Sequence, residues 1–305
     1  MGPAPTATAQ PVTESSPQPG VPVTPDEARD VATRLWQARM TARYQRDGAS
    51  LRVLESGPAL EADLGYICSL GCRGPLETAI ATTVNVPPQT AWPADFFAVV
   101  SYDLPDCPVT PCDEGFVAVQ ASQGAPYGSV PGYGTGGFAL PPDPEPSRQF
   151  QNLPAEYAQY LQSLKDTGRP PALTRLSDGA FTTDLATGMY NPPAAQAGAG
   201  RLSSTTYSVD PNDPLWRFRG VYDIQVTCGT VRYQDTIRPL PGQQLVQPPD
   251  YSVFGELTPG AYSSVVVRGL HMVCFEAYND PREKVGVFGT WGDITHVSGT
   301  LAVAT

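Results

Sequence analysis

The chain of 305 residues carries 30 acidic and 19 basic side chains, which gives a formal net charge of −11 at pH 7. Nucleic acids and anionic lipids bind proteins through Lys and Arg, so this balance argues against both as partners and predicts a solvated acidic surface. The length suits two ordinary domains, each with its own core, and no apolar run is long enough to predict a membrane-spanning helix.

The chain opens with residues 1–23, which consist mainly of Pro, Thr, Ser, Ala and Gly. So few large apolar side chains cannot offset the entropy of ordering, and we expect a disordered tether. A helix is predicted from Thr24 onward, because Thr24 is a favoured N-cap, Pro25 suits the first helical position and Glu27 completes a capping box. Apolar residues then recur at helical spacing as far as the stop "RDG" at residues 46–48.

Short helical turns broken at Gly57 and Pro58 are predicted next, over "LRVLESGPALEADLGYI". Three strands follow, because "ATTVNV", "DFFAVVSYDL" and "EGFVAVQAS" are rich in β-branched and aromatic residues and are bounded by Pro, Gly and Asp. After a linker at residues 142–152, the helix "LPAEYAQYLQSLKDTG" precedes a second set of strand-like runs. We therefore predict domains at residues 24–141 and 153–305.

A phrase in the first half, "LRVLESGPALEADLGYI", has a counterpart in the second half, "LTRLSDGAFTTDLATGMY". Aligning Leu54 with Leu176 places Gly57 of the first copy opposite Gly179 of the second. With a slip of one residue, the same alignment matches Asp63 with Asp184. Each copy follows a helix and precedes several strands, so we predict an internal duplication of one domain that consists of a helix and then a sheet.

A helix, short helical turns and then an antiparallel sheet resemble the cystatin-like or NTF2-like cone, in which the sheet wraps the helix. The segment "TPDEARDVATRLWQARMTARYQRDGASLRVLESGPALEAD" is similar to the start of a family of uncharacterised actinobacterial extracytoplasmic proteins, often lipoproteins, with such folds in tandem. The residues at the places of that family's pattern are Asp47, Leu51, Glu55, Gly57 and Pro58. The second copy departs from the pattern, with Ser-Asp-Gly-Ala in place of Glu-Ser-Gly-Pro.

The resemblance implies an α+β fold with two tandem cystatin-like or NTF2-like cone domains, and an extracytoplasmic location that is secreted or on the cell surface. It carries over no catalytic residues. It also implies a membrane anchor, which the given sequence lacks, so membrane contact is expected only through such an anchor.

The cysteines number six, four in the first half and two in the second: Cys68, Cys72, Cys107, Cys112, Cys228 and Cys274. An even count that divides evenly between domains is typical of disulfides formed outside the cytoplasm. Cys228 and Cys274 each lie at the end of a predicted strand, and closing their loop of roughly 47 residues stabilises the fold by about 4 kcal/mol in the entropic treatment. The other four allow three pairings, with a four-thiolate zinc site as the alternative.

Few residues stand out as candidates for a pocket: Asp63, Asp184, Trp92, Trp216 and His271. The two Asp residues either face a cone cavity or cap short helices, and the two Trp residues either line a cleft or anchor a core. His271 lies in a predicted strand, where a packed histidine is commoner than an acid or base. The segment "GYGTGG" matches a dinucleotide loop by letter, but no strand is predicted before it and no helix after it.

Motifs of nucleotide-binding, serine-hydrolase and zinc-protease sites are absent from the sequence, so we expect no cofactor, no metal and no catalytic residues. The predicted function is a non-catalytic extracytoplasmic module of the cell envelope, which presents its cone mouths or a sheet face to a protein or an envelope ligand. Two alternatives stay open: an enzyme of the NTF2-like type that acts on an apolar small molecule in a cone cavity, and a periplasmic subunit of a conjugation or secretion channel.

Overall fold

The computed structural model describes residues 23–69, 78–86, 89, 92–103, 111–133, 150–172, 174–177, 182, 200–219, 225–246, 257, 260–277 and 284–302. We call residues 23–133 the first lobe and residues 150–302 the second lobe. Four helices and two antiparallel sheets make up the described residues, so the α+β class predicted from the sequence is confirmed.

The first lobe begins with three helices and continues with a four-stranded sheet. The helices are α1 (Pro25–Gln45), α2 (Gly48–Leu54) and α3 (Gly57–Ser69). The strands are β1 (Ala79–Asn85), β2 (Ala94–Tyr102), β3 (Cys112–Gln120) and β4 (Tyr127–Tyr133). All neighbours are antiparallel and the strand order is β1-β2-β3-β4, so the sheet is a simple meander.

The second lobe has one helix among its described residues, α4 (Leu153–Thr167), followed by a six-stranded sheet. The strands are β5 (Gly200–Ser208), β6 (Trp216–Arg219), β7 (Gln225–Pro239), β8 (Leu245–Val246), β9 (Ala261–Ala277) and β10 (Gly286–Leu301). The main path is β5-β7-β9-β10, and the short strands β6 and β8 pair with β7 and β9. Each lobe therefore has a helix followed by an antiparallel meander of four main strands.

The start and end of α1 are as the sequence predicts. Thr24 accepts a hydrogen bond from the Glu27 backbone N–H at 3.3 Å, and the Glu27 carboxylate accepts one from the Thr24 N–H at 2.9 Å, which is a capping box. Arg46 ends the helix with a φ of 57°. Val23, which the sequence assigns to the tether, is buried in the core beneath α1.

The first sheet buries both faces, because alternate side chains of a strand point to opposite sides. Phe96 and Phe116 pack against Trp36 on α1. Phe97 and Val117, one residue further along each strand, pack instead against the second lobe.

The second sheet is divided in the same way. Val273 and Phe275 on β9 pack beneath α4, whereas Met272 and Cys274 pack against the first sheet. The layers thus follow the order α1, first sheet, second sheet and α4, with the two sheets back to back. The faces of β2, β3, β7 and β9 that meet at this joint are therefore buried between the lobes.

Helix α3 lies at the joint between the lobes. A Cβ atom added at Gly65 would come within 2.2 Å of the carbonyl oxygen of Ile294 on β10, so the two backbones touch where only glycine fits. On the same helix, Glu61 pairs with Arg232 of β7 at 2.5 Å, and Arg232 also pairs with Asp213. Apolar and ionic contacts therefore dock the first lobe on the second.

Several elements differ from the sequence predictions. The short turns after Gly57 are a full helix, α3, and strands β4 and β5 had not been predicted. The prediction that no strand precedes "GYGTGG" is wrong, because β4 ends inside that segment, at Tyr133. Leu54 ends α2, whereas its aligned counterpart Leu176 forms a parallel bridge with Val285, so these two residues of the repeated phrase differ in local structure.

Within the described part of the chain, every helix is too short or too polar to cross a lipid bilayer.

Candidate functional site

Helices α1 and α2 form a tight hairpin because the residue between them caps the second helix. Asp47 accepts hydrogen bonds from the backbone N–H groups of Ala49 and Ser50 at 3.1 and 3.0 Å. These bonds satisfy amides that have no partner inside a helix, and they fix the start of α2 beside the end of α1. Leu51 then packs against Ala42, which holds the two helices side by side.

A groove of about 560 Å³ runs between the two helices on the outer surface of the first lobe, and its lining surface is mainly apolar. The residues that line it are Arg34, Gln37, Ala38, Thr41, Ala42, Gln45, Asp47, Ser50, Val53 and Leu54. The small side chains of α1 leave this space open. Cavities of about 300 to 1,000 Å³ are typical of small-molecule sites, so the groove has the size of one.

The two ends of the groove differ in charge. Arg34 lies on α1 at one end, and Asp47 lies at the other, where its carboxylate is already bonded to backbone amides. Between them, Val53 on α2 keeps 68% of its surface exposed and adds an apolar side chain to the groove wall. The groove therefore combines an apolar wall with a cation at one end.

A buried ionic cluster lies on the opposite side of α1, beneath the groove. The guanidinium of Arg39 donates to Glu55 from Nε, to Glu114 from Nη1 at 2.9 Å and to Asp63 from Nη2 at 3.2 Å. Arg43 adds a second cation, with its Nε 3.6 Å from Asp63. The cluster thus links α1, the end of α2, α3 and β3 through one guanidinium.

Neighbouring aromatic rings complete this cluster. Trp36 donates its indole N–H to Glu114 at 2.9 Å, and the ring of Phe116 lies 5.7 Å from the Arg39 guanidinium carbon. Arg39, Glu55 and Asp63 are at most 4% exposed. Such groups are costly to bury unless they are paired, and here each charged group has an opposite charge beside it.

Burial and the mixture of charges shift the pKa values in the cluster. Burial raises the pKa of the Glu55 carboxyl to about 7. The positive charge of Arg39 opposes this rise, and the neighbouring Asp63 adds to it. Burial alone would lower the pKa of Arg39, but the three carboxylates raise it well above its ordinary value. Arg39 is therefore always charged, whereas Glu55 changes charge near neutral pH.

Of the residues predicted as a pocket, the structure places Asp63 in this cluster, so it neither caps a helix nor faces a cavity. Trp216 packs at the joint between the lobes. Trp92 is half-buried just before β2, and Asp184 lies outside the described residues. None of the predicted residues that the structure describes lines the groove.

His271 is buried in the second lobe on β9, where its ring stacks on Tyr233 with 4.8 Å between the centroids. Among the described residues no group forms a hydrogen bond with its Nε2 atom. Burial lowers the pKa of His271 to about 4, so the imidazole is neutral at physiological pH. It lies in a different lobe from Asp63, so these two candidates do not share a site.

The sequence reasoning missed Arg39 and Glu114. A signal for Arg39 was present, because it falls on the face of α1 that also carries Ala28, Ala32 and Leu35, all of them buried. A charged residue in the buried stripe of a helix indicates a buried partner of opposite charge. The helical pattern could therefore have predicted the ion pair, although not the strand that supplies Glu114.

The predicted disulfide between Cys228 and Cys274 is confirmed, with the two residues directly opposite each other on β7 and β9. Cys112 is disulfide-bonded as well, so its sulfur is not a thiolate and the four-thiolate zinc set is not formed. The pairings of Cys68, Cys72 and Cys107 lie outside the described side chains. Within the described residues, no three His, Cys, Asp or Glu side chains cluster as metal ligands would.

No family model, no curated protein and no solved structure matches this chain.

Proposed function

We propose that this protein is a non-catalytic binding module of the cell envelope, located outside the cytoplasm, that holds a small amphiphile in the groove between α1 and α2. The observation that carries the proposal is the groove itself, with its apolar wall and its cation at one end. In this proposal the two lobes are tandem domains of the cystatin-like or NTF2-like type, packed back to back.

The occupant is a compact molecule with an apolar body and an anionic group. The groove volume of about 560 Å³ suits a small molecule, whereas a stable protein partner buries about 800 Å² on each side. The apolar body lies against Ala38, Val53 and Leu54. The anionic group lies at the Arg34 end, because the carboxylate of Asp47 disfavours a negative charge at the other end.

The location outside the cytoplasm is supported by the disulfide between Cys228 and Cys274, since such bonds form and persist in oxidising compartments. In the ionic cluster beneath the groove, every charged side chain lies beside an opposite charge. The cluster therefore acts as a brace that holds the groove helices on the sheet.

A fluorescence titration tests the proposal with two matched probes. The probe 1-anilinonaphthalene-8-sulfonate has an apolar body and a fixed negative charge, and N-phenyl-1-naphthylamine has the same rings without the sulfonate. Arg34→Gln should weaken the sulfonate probe about fivefold, about 1 kcal/mol, and leave the neutral probe unchanged. Val53→Asp should weaken both probes.

The matched control is Arg29→Gln, because Arg29 is on the same helix but pairs with Asp26 at 2.7 Å and does not line the groove. It should bind both probes as the wild type does. Equal binding of the sulfonate probe by the wild type, Arg34→Gln and Val53→Asp would contradict the proposal.

A second candidate function is an enzyme that acts on an apolar small molecule inside the second lobe, and His271 favours it. A buried imidazole without a hydrogen-bond partner among the described residues is the kind of group that a ligand would complete. Under this alternative, His271→Leu should abolish binding of the neutral probe while Val53→Asp should leave it unchanged.

A further inference from the structure

Helix α2 is both a wall of the groove and the holder of Glu55. Val53 and Leu54 line the groove, and Glu55 is the next residue, at the C-cap of α2, with its backbone N–H bonded to the Leu51 carbonyl at 2.8 Å. The side chain of Glu55 turns away from the groove and reaches Arg39 in the ionic cluster. Any change in the cluster that displaces Glu55 therefore moves a wall of the groove.

The charges around Glu55 do not balance. Among the described residues, the cations are Arg39 and Arg43, both from α1, and the carboxyls are Glu55 itself, Asp63 from α3 and Glu114 from β3. The neighbouring strand β4 has no charged residue in its sequence. With every carboxyl ionised, the cluster would carry one negative charge in excess, and a buried excess charge is removed by binding a proton.

Glu55, which lies beside Asp63, is the group that holds this proton. Both carboxyls are almost fully buried, and both contact the guanidinium of Arg39. Glu114, in contrast, is partly exposed and accepts a second hydrogen bond from Trp36. Two buried carboxyls close together cannot both ionise readily, so one stays protonated. The cluster is then neutral, with two cations, two carboxylates and one carboxylic acid.

We propose that Glu55, beside Asp63 in the cluster, carries one proton, and that release of this proton to water loosens α2 and weakens ligand binding in the groove. The effect on binding rests on the proposed function, while the proton and its effect on α2 do not. The pKa of about 7 for Glu55 places the change near neutral pH.

Helix α2 is the element that gives way, because it has the fewest anchors. Of its seven residues, from Gly48 to Leu54, Leu51 alone is buried. Helix α1 is fixed to the first sheet by Trp36 and its neighbours, and α3 is fixed between the lobes. Two carboxylates that repel each other can separate only by moving the end of α2 outward, where Glu55 gains water.

Hydrogen exchange of the wild-type protein tests the effect on α2 without any ligand. The reporting amides are Leu51, bonded to the Asp47 carbonyl at 3.1 Å, and Glu55, bonded to the Leu51 carbonyl at 2.8 Å. Their protection factors should fall about tenfold or more between pH 6 and pH 9, while those of α4 stay constant. In Glu55→Gln, which keeps the hydrogen bonds and cannot ionise, they should not change.

Equal protection of α2 at both pH values, or the same fall in Glu55→Gln, would overturn the proposal. If Glu55→Gln does not fold, carbon-13 NMR of the Glu55 side-chain carboxyl in the wild type decides instead. Its titration midpoint should lie near 7. A midpoint closer to the ordinary value of 4.5 than to 7 overturns the proposed proton on Glu55.

The sulfonate probe tests whether the proton on Glu55 affects binding in the groove. Its own charge is constant between pH 6 and pH 9, so a change in its affinity reports a change in the protein. The wild type should bind it several-fold more weakly at pH 9, and Glu55→Gln should bind it equally at both. Equal binding by the wild type at both pH values would overturn the link while leaving the proposed function intact. No binding at either pH would overturn the proposed function, and hydrogen exchange would still decide the proton and the motion of α2.

Discussion

Arg39 and Glu55 form an ion pair across two helices, with side chains that are 4% and 0% exposed. The pair joins the middle of α1 to the end of α2, and through Arg39 it reaches α3 and β3 as well. Without this pair, the helical hairpin would be held mainly by the apolar contacts of Leu51 and Leu54. The ion pair therefore fixes the relative position of the two helices that line the groove.

Replacing Arg39 with methionine should be strongly destabilising, because it leaves three carboxyls buried without their main cation. We expect Arg39→Met to lower the free energy of unfolding by about 3 to 5 kcal/mol at pH 7, measured by urea denaturation. Arg29→Met is the matched control on the same helix, since Arg29 forms an exposed pair, and it should cost at most about 1 kcal/mol. Similar losses in the two variants would contradict the role of Arg39.

The free energy of unfolding should depend on pH through Glu55. Its pKa is raised in the folded protein, so its contribution is complete below pH 4.5 and is lost as the pH rises to about 7. Relative to Glu55→Gln, the wild type should lose about 3 kcal/mol between pH 4 and pH 8. Urea denaturation at several pH values measures this difference, and a constant difference would argue that Glu55 is ionised throughout.

His271 should produce the opposite dependence. Burial lowers its pKa to about 4, so its contribution is complete above 6.5 and is lost as the pH falls towards 4. Relative to His271→Leu, the wild type should gain about 3 kcal/mol between pH 4 and pH 7. The effects of Glu55 and His271 on the free energy of unfolding therefore oppose each other between about pH 4.5 and 6.5.

The disulfide between Cys228 and Cys274 should stabilise more than the second lobe, because both residues belong to the cluster between the two sheets. Replacing both with alanine should cost about 4 kcal/mol for a sequence separation of 46 residues. Non-reducing peptide mapping should recover a peptide that links the two positions. Free alkylation of both thiols in the folded protein would contradict the bond and the proposed compartment.

Gly65 should tolerate substitution by a larger residue poorly, because it lies at the contact between the two lobes. Gly65→Ala places a methyl group against the Ile294 backbone, and we expect a loss of about 1 to 3 kcal/mol together with loosening of α3 from β10. Gly286→Ala is the matched control on β10, because its nearest neighbour would be 3.8 Å away. Thermal unfolding of the two variants should differ clearly, and equal midpoints would show that α3 is not held there.

The helices and strands that the sequence predicted are those with a local signal in their own residues. The capping box at Thr24 and the apolar spacing after it predicted α1, and runs rich in β-branched and aromatic residues predicted β2 and β3. Strand β4 was missed, because Gly128, Pro131 and Gly132 are typical of turns. In the structure Gly128 pairs with Val119 of β3, and Pro131 and Gly132 lie at an irregularity of the same pairing, so tertiary contacts outweighed local preference.

Most of the candidate site could not be predicted from the sequence, because its residues meet only through tertiary packing. Asp63 was singled out as a repeated acid, yet its partner Arg39 lies 24 residues away and Glu114 is on a later strand. The groove has no motif of its own, since it arises from small side chains on α1 facing a short second helix. The packing of the two sheets was likewise unpredictable, because both faces of β2 and β3 are apolar and the sequence does not say what covers each.

An NMR titration determines whether a small anionic amphiphile binds between α1 and α2. The amide resonances of the protein are followed as sodium decanoate is added below its micellar concentration at pH 6. If it binds there, we expect saturable shifts that are centred on Arg34, Ala38, Thr41 and Val53, and that disappear in Val53→Asp. Saturable shifts centred on His271 and Tyr233 instead, or no saturable shifts at all, would contradict binding in the groove.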